Sequence, residues 1–306
     1  MQIVPPPLIP GDSIAVIAPA GMPADRKKYH IGCSVIEDMG FKIINQEKRW
    51  PGFDFLSDRD ECRLHELHQT WADPEVKAII ALRGGFGSLR LASTIDFDVM
   101  RENPKLFVGF SDISILLNLI YSRTGLICFH GPVLTSLGHC DKNSLERLYH
   151  SLTGKWYNSL EEKVEVLRDG PVVKGRLLGG NLCSLLTMFG TPVEPQLSGA
   201  ILFLEEVNEP LYSLDRLLTQ LHLSGKLESV AGIILGNFSG REDSTSHEEL
   251  RRKEFVWNRA CELTAHCEVP VWGGFPIGHG IKNITLPVGA QAIMDSSTRS
   301  LSFSES

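Results

Sequence analysis

The chain has 306 residues, is 42% hydrophobic and carries a formal net charge of -7 with a pI near 5.8. That length builds a large core and divides most naturally into two domains, while the acidic balance, without any block of Lys or Arg, excludes a nucleic-acid groove and an anionic membrane surface as partners. No run approaches the roughly 20 uninterrupted apolar residues of a membrane span, and "MQIVPPPLIPGDSIAVIAPAG" has neither the basic start nor the apolar run of a signal peptide, so a cytoplasmic protein acting on a small ligand is expected.

Along the chain, "SIAVIAPA" reads as a buried strand, followed by a helix through "YHIGCSVIEDMG" that Gly40 stops, then the strand "FKIINQ". "DRDECRLHELHQTWADP" is helical up to Pro74, "VKAIIALRGG" is a strand ending in glycines, and "LFVGFSD" is a further strand running into the helical "ILLNLIYSRTG". Apolar strands alternating with helices predict a Rossmann-like α/β domain over residues 1–150, with a parallel sheet covered on both faces. Residues 151–170 are more polar and break the alternation, so they are expected to be a linker. Beyond them, residues 171–306 read as a smaller, β-rich domain: a glycine turn and short helix in "KGRLLGGNLCSLLTMFGTP", and strands in "GAILFLEEV", "VAGIILGNF" and "ITLPVGAQAIMD". "LYSLDRLLTQLHLSG" is a helix with Leu211, Leu214, Leu218 and Leu221 on one stripe. The seven cysteines are odd in number and never spaced C-x-x-C, which suits reduced core thiols.

Chemistry is concentrated in a few stretches. In "VGFSDIS", Ser111 stands where a strand turns into a helix. It can cap the helix with its hydroxyl, or it can be a nucleophile exposed on an elbow, with the Asp112 N–H beside it to stabilise an oxyanion. A serine nucleophile needs a base and an acid that orients the base. His279, in the glycine-rich loop "GGFPIGHGIKN", is the candidate base, and Glu205 or Glu206, at the end of the buried run "GAILFL", the candidate acid; spacing does not choose between the two. "ALRGGFGSLR" is a strand, glycine turn and helix start without a dinucleotide or P-loop pattern, and Gly84 or Gly85 can supply a second oxyanion N–H. His65 and His68 in "HELH" miss the spacing of a zinc-binding helix and read as surface residues. No cofactor and no metal is expected.

Taken together and in order, "PGDSIAVIAPAG", "ALRGGFGSLRLAS", "VGFSDIS", "FHGP", "GRLLGGNL", "ILFLEEVNEPLYSLDRLLTQL", "GIILGNF" and "PIGHGIKNITLPVGA" resemble the LD-carboxypeptidase family. These serine peptidases include murein tetrapeptide carboxypeptidase and the microcin C self-immunity proteins. The resemblance implies Ser111 as nucleophile, Glu205 rather than Glu206 as the acid and His279 as the base, on an amidotransferase-like N-terminal domain and a smaller C-terminal one with the site between them. It implies release of a terminal D-alanine from murein tetrapeptides in peptidoglycan recycling, and a homodimer. The sequence departs from many relatives at "APAG", Ala18 to Gly21, where a serine commonly follows the proline. Arg83, beside the glycine turn, is a candidate for the substrate's free carboxylate. Two other readings stay in view: a microcin-immunity-like hydrolase of peptidyl or aminoacyl nucleotide conjugates, and a non-catalytic two-lobe binding protein in which Ser111 is a plain cap.

Overall fold

The computed structural model describes residues 2–22, 25–45, 49–241 and 243–304. Among them, five short apolar segments form a parallel sheet: β1 (Ser13–Ile17), β2 (Lys42–Ile44), β3 (Ala78–Ala81), β4 (Leu106–Gly109) and β5 (Cys128–His130), in the order β5-β4-β3-β1-β2. Every residue of β3 and β4 is buried, as a sheet covered by helices on both faces requires. The helix Arg26–Asp38 is capped by the Asp25 carboxylate, which accepts from the Lys27 N–H at 2.8 Å, and the chain turns out of it at Gly40 with φ +90°.

The second half supplies β6 (Leu160–Glu161), β7 (Glu165–Arg168), β8 (Val173–Asn181), β9 (Ile201–Val207), β10 (Gly232–Ser239), β11 (Val271–Gly273), β12 (Leu286–Val288), β13 (Gln291–Asp295) and β14 (Ser300–Ser304). All but β12 form one mixed sheet in the order β6-β14-β13-β8-β9-β10-β11-β7, whose central four strands β8 to β11 are parallel. The helix Leu211–Leu223 buries Leu214, Leu218 and Leu221, and Leu211 packs partly buried against the core, so the predicted leucine stripe is the buried face. Among the described residues, no helix is long and apolar enough to cross a membrane.

Three local expectations differ from what is observed. Residues 151–170 hold two strands, β6 and β7, which form opposite edges of the second sheet; their polarity reflects edge exposure. The stretch "KGRLLGGN" is strand, not turn. It runs in register with β9 from Leu177 opposite Ile201 to Asn181 opposite Glu205. Its glycines serve close backbone approach: a Cβ on Gly179 would lie 1.9 Å from the Phe203 carbonyl oxygen. Finally, β12 leaves the second half and pairs antiparallel with β5, so the first sheet is completed by a distant part of the chain.

The two sheets are tied together at the place where the site forms. Asn118, buried on the helix Ser114–Thr124, donates from Nδ2 to the Gly179 carbonyl at 2.8 Å and accepts the Gly179 N–H on Oδ1 at 3.2 Å. One turn earlier, the Ser114 hydroxyl accepts the Asn181 N–H at 3.2 Å. These bonds hold the start of that helix, and the Ser111 turn just before it, against the C-terminal end of β8 and thus beside the end of β9.

Candidate active site

Ser111 follows the last residues of β4 and opens a 3-10 turn, Ser111–Ile113, that leads into the helix Ser114–Thr124. Ser111 occupies the cap position of neither element, those places falling to Phe110 and Ile113, so the plain N-cap considered for it is not the arrangement observed. Its backbone has φ +63°, a left-handed conformation that costs a residue with a side chain of order 1–3 kcal/mol. A strained serine that caps nothing, at a sharp strand-to-helix turn beside a cavity, has the geometry of an exposed nucleophile.

Glu205 is the fifth residue of β9 and fully buried; His279 lies in the loop between β11 and β12. The His279 Nδ1 and Glu205 Oε2 are 2.7 Å apart, with the imidazole side chain 24% exposed and the carboxylate 0% exposed. Burial opposes charging the imidazole, but the Glu205 charge and hydrogen bond, with Glu206 behind them, outweigh it and hold the His279 pKa above its ordinary value. The same pairing outweighs burial at Glu205 and keeps its carboxyl below the usual range. The loop is itself clamped: the His279 carbonyl accepts from Asn237 Nδ2 at 2.5 Å and from the Ser239 hydroxyl at 3.3 Å, and the Gly278 N–H donates to Asn283 Oδ1 at 3.1 Å. The Phe110 ring lies against the imidazole, with centroids 4.7 Å apart. Nδ1 is thereby occupied, and Nε2 is left as the nitrogen available to a nucleophile.

Ser111 and His279 line the same cavity of about 310 Å3, together with Arg83, Gly84 and Gly85. Among the described residues, the N–H groups of Gly84 and Gly85 donate to no backbone carbonyl, and the Gly84 backbone passes so close that a Cβ there would lie 2.7 Å from the Ser111 Cβ and 3.4 Å from the Asp112 nitrogen. Backbone amides beside a hydroxyl are what an oxyanion site needs. The glycine turn is braced from "APAG", where the Gly21 N–H donates to the Gly84 carbonyl at 3.2 Å. Gly84→Ala is therefore expected to keep the fold but to displace Ser111 and lower kcat by about 10²-fold; steady-state kinetics with circular dichroism check this, and an unimpaired rate would remove Gly84 from the site. Arg83 keeps one guanidinium nitrogen on the Met22 carbonyl at 3.1 Å and faces the same cavity.

The remaining candidates separate from this cluster. His65 is exposed and His68 accepts the Asp96 N–H on Nε2 at 2.9 Å, so the "HELH" pair is helix surface. Glu206 points away from His279: its oxygens accept from Asn181 Nδ2 and from the N–H groups of Cys183 and Val207, each at 2.8 Å, and burial pushes its carboxyl up to about 7. Sequence reasoning did not single out His130. It is fully buried, edge-on to Phe203 at 5.0 Å and to Phe110 at 6.0 Å, and burial pushes its pKa down to about 4, so it stands behind the site as a neutral ring. It also missed Asn118, Ser114 and Asn181, which hold the two sheets together. "FHGP", "VGFSDIS" and "GRLLGGNL" contain His130, Ser114 and Asn181, while Asn118 lies in none of these stretches.

A strand-to-helix serine, an imidazole paired with a buried carboxylate, and a glycine turn against the serine, between two α/β sheets, define a hydrolase-like site. Comparison with known proteins is specific. Residues 14–131 match the LD-carboxypeptidase N-terminal domain and residues 174–294 the LD-carboxypeptidase C-terminal domain. A Bacillus subtilis (strain 168) protein described as "Probable murein peptide carboxypeptidase" is 35% identical over 300 residues, covering 94% of this chain and 90% of that protein. The crystal structure of muramoyltetrapeptide carboxypeptidase from Oxalobacter formigenes superposes with a TM-score of 0.80 at 31% identity, covering 95% of this chain and 97% of that one. The structure of the self-immunity protein MccF in complex with glutamyl sulfamoyl guanosine superposes with a TM-score of 0.86 at 26% identity, covering 99% and 98%. The chain belongs to the LD-carboxypeptidase family.

Proposed function

We propose that this protein is a serine carboxypeptidase that hydrolyses an L,D peptide bond and releases the terminal D-alanine of murein tetrapeptides. The observation that carries the reading is the Glu205–His279 pair opening onto the cavity that also holds Ser111. His279 takes the hydroxyl proton through Nε2 as Ser111 attacks the scissile carbonyl, Glu205 orients the ring and stabilises the imidazolium, and the amides of Asp112 and of Gly84 or Gly85 hold the oxyanion. His279 then returns the proton to the departing amine, and water releases the acyl group by the reverse path. Arg83 pairs with the substrate's free carboxylate, the group that distinguishes a carboxypeptidase substrate from an internal peptide bond. Cytoplasmic peptidoglycan recycling and a homodimer complete the reading.

The likeness to MccF bound to a glutamyl nucleotide conjugate supports a second reading, hydrolysis of aminoacyl nucleotide conjugates by the same three residues. Mass spectrometry of products from murein tri-, tetra- and pentapeptides, beside an aminoacyl sulfamoyl nucleoside, tests both. Loss of D-alanine from the tetrapeptide alone is the expected result; turnover of the nucleotide conjugate alone would overturn it. Failure to turn over any substrate or to react with a serine-directed acylating probe would return the chain to the non-catalytic binding class.

A further inference from the structure

The glycine turn beside Ser111 is held from behind by a buried cation. Arg63 lies in the first turn of the helix Asp60–Ala72 and is 1% exposed. It shares the buried face of that helix with Leu67 and Trp71, four and eight residues further on, a position that the helical period reserves for an apolar side chain. A guanidinium there is costly to bury and needs partners for its charge and its donors.

Those partners are the segments that surround the nucleophile. Arg63 Nη1 donates to the Pro19 carbonyl and, at 3.1 Å, to the Gly87 carbonyl, while Nη2 pairs with Asp60 Oδ1 at 2.6 Å. Asp60 holds Arg90 through its other oxygen at 2.8 Å. Pro19 belongs to "APAG", whose Gly21 N–H braces the Gly84 carbonyl, and Gly87 closes the glycine turn with φ +114°. The packing leaves no room for side chains: a Cβ on Gly87 would lie 3.1 Å from Arg63 Nη1, and one on Gly21 3.1 Å from the Gly84 oxygen. Directly after Gly87, the Ser88 N–H donates to the Asp112 carboxylate at 2.9 Å, which ties the far end of the turn to the residue that follows Ser111. Burial raises the Asp112 carboxyl above its usual range, and the Ser88 bonds and the Arg63 charge work against that rise. One planar fork thus joins residues 18–21 to residues 84–87, and both to the Ser111 turn, a span that the point charge of a lysine does not reproduce.

Resting on the carboxypeptidase reading, we propose that Arg63 is a positioning residue for the reaction, fixing residues 84–87 against Ser111 so that the amides of that turn are in place when the oxyanion forms. Its contribution is made to the transition state, so it belongs to kcat and not to KM. The Glu205–His279 pair stands on β9 and the loop between β11 and β12, so the pKa of the base is independent of this brace.

The experiment compares the wild type with Arg63→Lys on murein tetrapeptide, with active sites counted by a serine-directed acylating probe. Arg63→Lys is expected to lower kcat per active site by about 10- to 100-fold, with KM and the acid limb of the pH profile unchanged. A phosphinate analogue of the tetrapeptide, whose tetrahedral anion mimics the oxyanion, should bind more weakly by a similar factor. A purely structural arginine would instead lower the thermal transition and the number of active sites while kcat per site and phosphinate affinity stay at wild-type values, and that result overturns the proposal. Combining Arg63→Lys with Gly84→Ala should cost less than the product of the two separate losses, because both displace one turn; a multiplicative loss also overturns it. If Arg63→Lys does not fold, Asp60→Asn frees the outer end of the guanidinium at a partly exposed site; a smaller loss in kcat at unchanged KM is expected, and wild-type kcat overturns the proposal. A wild type that releases no D-alanine overturns the carboxypeptidase reading, and this proposal falls with it.

Discussion

Ser111→Ala is expected to lower kcat for D-alanine release by about 10⁴- to 10⁶-fold without loss of the cooperative thermal transition. The kinetic part follows from removing the atom proposed to attack. The stability part follows from local structure, because Ser111 is not the cap of the turn or of the helix behind it, those positions being Phe110 and Ile113. A capping serine would instead cost about 1 kcal/mol on truncation. Ser111→Gly sharpens the test. At φ +63° a glycine relieves strain, so this variant should be inactive yet more stable by about 0.5–1 kcal/mol. Paired single-turnover assays and thermal denaturation read both quantities. D-alanine release retained by Ser111→Ala would sink the nucleophile assignment, and a rate lost only in step with stability would restore the cap.

Glu205→Gln should lower kcat by about 10⁴-fold, since an amide can neither fix the imidazole tautomer nor stabilise the imidazolium. Its pH dependence is more informative than its size. His279 works as a base only when neutral. In the wild type Glu205 holds the His279 pKa above the ordinary value, so kcat/KM should fall as pH drops through that raised pKa, giving an acid limb at higher pH than an ordinary imidazole would. Without the carboxylate charge, burial is the dominant influence left, and burial lowers the pKa of an imidazole. The acid limb of the residual activity should therefore move to lower pH. A limb that stays in place or moves up would show that Glu205 does not tune the base.

Much of this arrangement is legible in the chain alone, and the reasons are local. β3, β4 and β9 are short apolar runs bounded by turn residues, so periodicity finds them, and the leucine stripe of the helix Leu211–Leu223 is read as easily. The place of Ser111 at a strand-to-helix turn is local as well. What spacing left open was its task, because a capping serine and a nucleophilic one share the same sequence position; the left-handed backbone angle and the cap positions of Phe110 and Ile113 appear only in the fold. Glu205 and Glu206 are equally ambiguous in one dimension. Adjacent residues on a strand point to opposite faces, so one meets His279 and the other turns to Asn181 and Cys183, and which does which depends on what packs against each face. The resemblance to a known family named the first, and it said nothing about the second.

The order of strands, turns and helices, the helix stops and the stretches that carry chemistry were determined by the sequence itself, because each depends on residues within a turn or two of one another. Tertiary structure alone decided the rest. The Asn118 and Ser114 bonds to β8, the docking of β12 on β5 and the 2.7 Å contact between residues 74 positions apart are all pairings across the fold. Their geometry is set by how two sheets pack, and no local pattern records it.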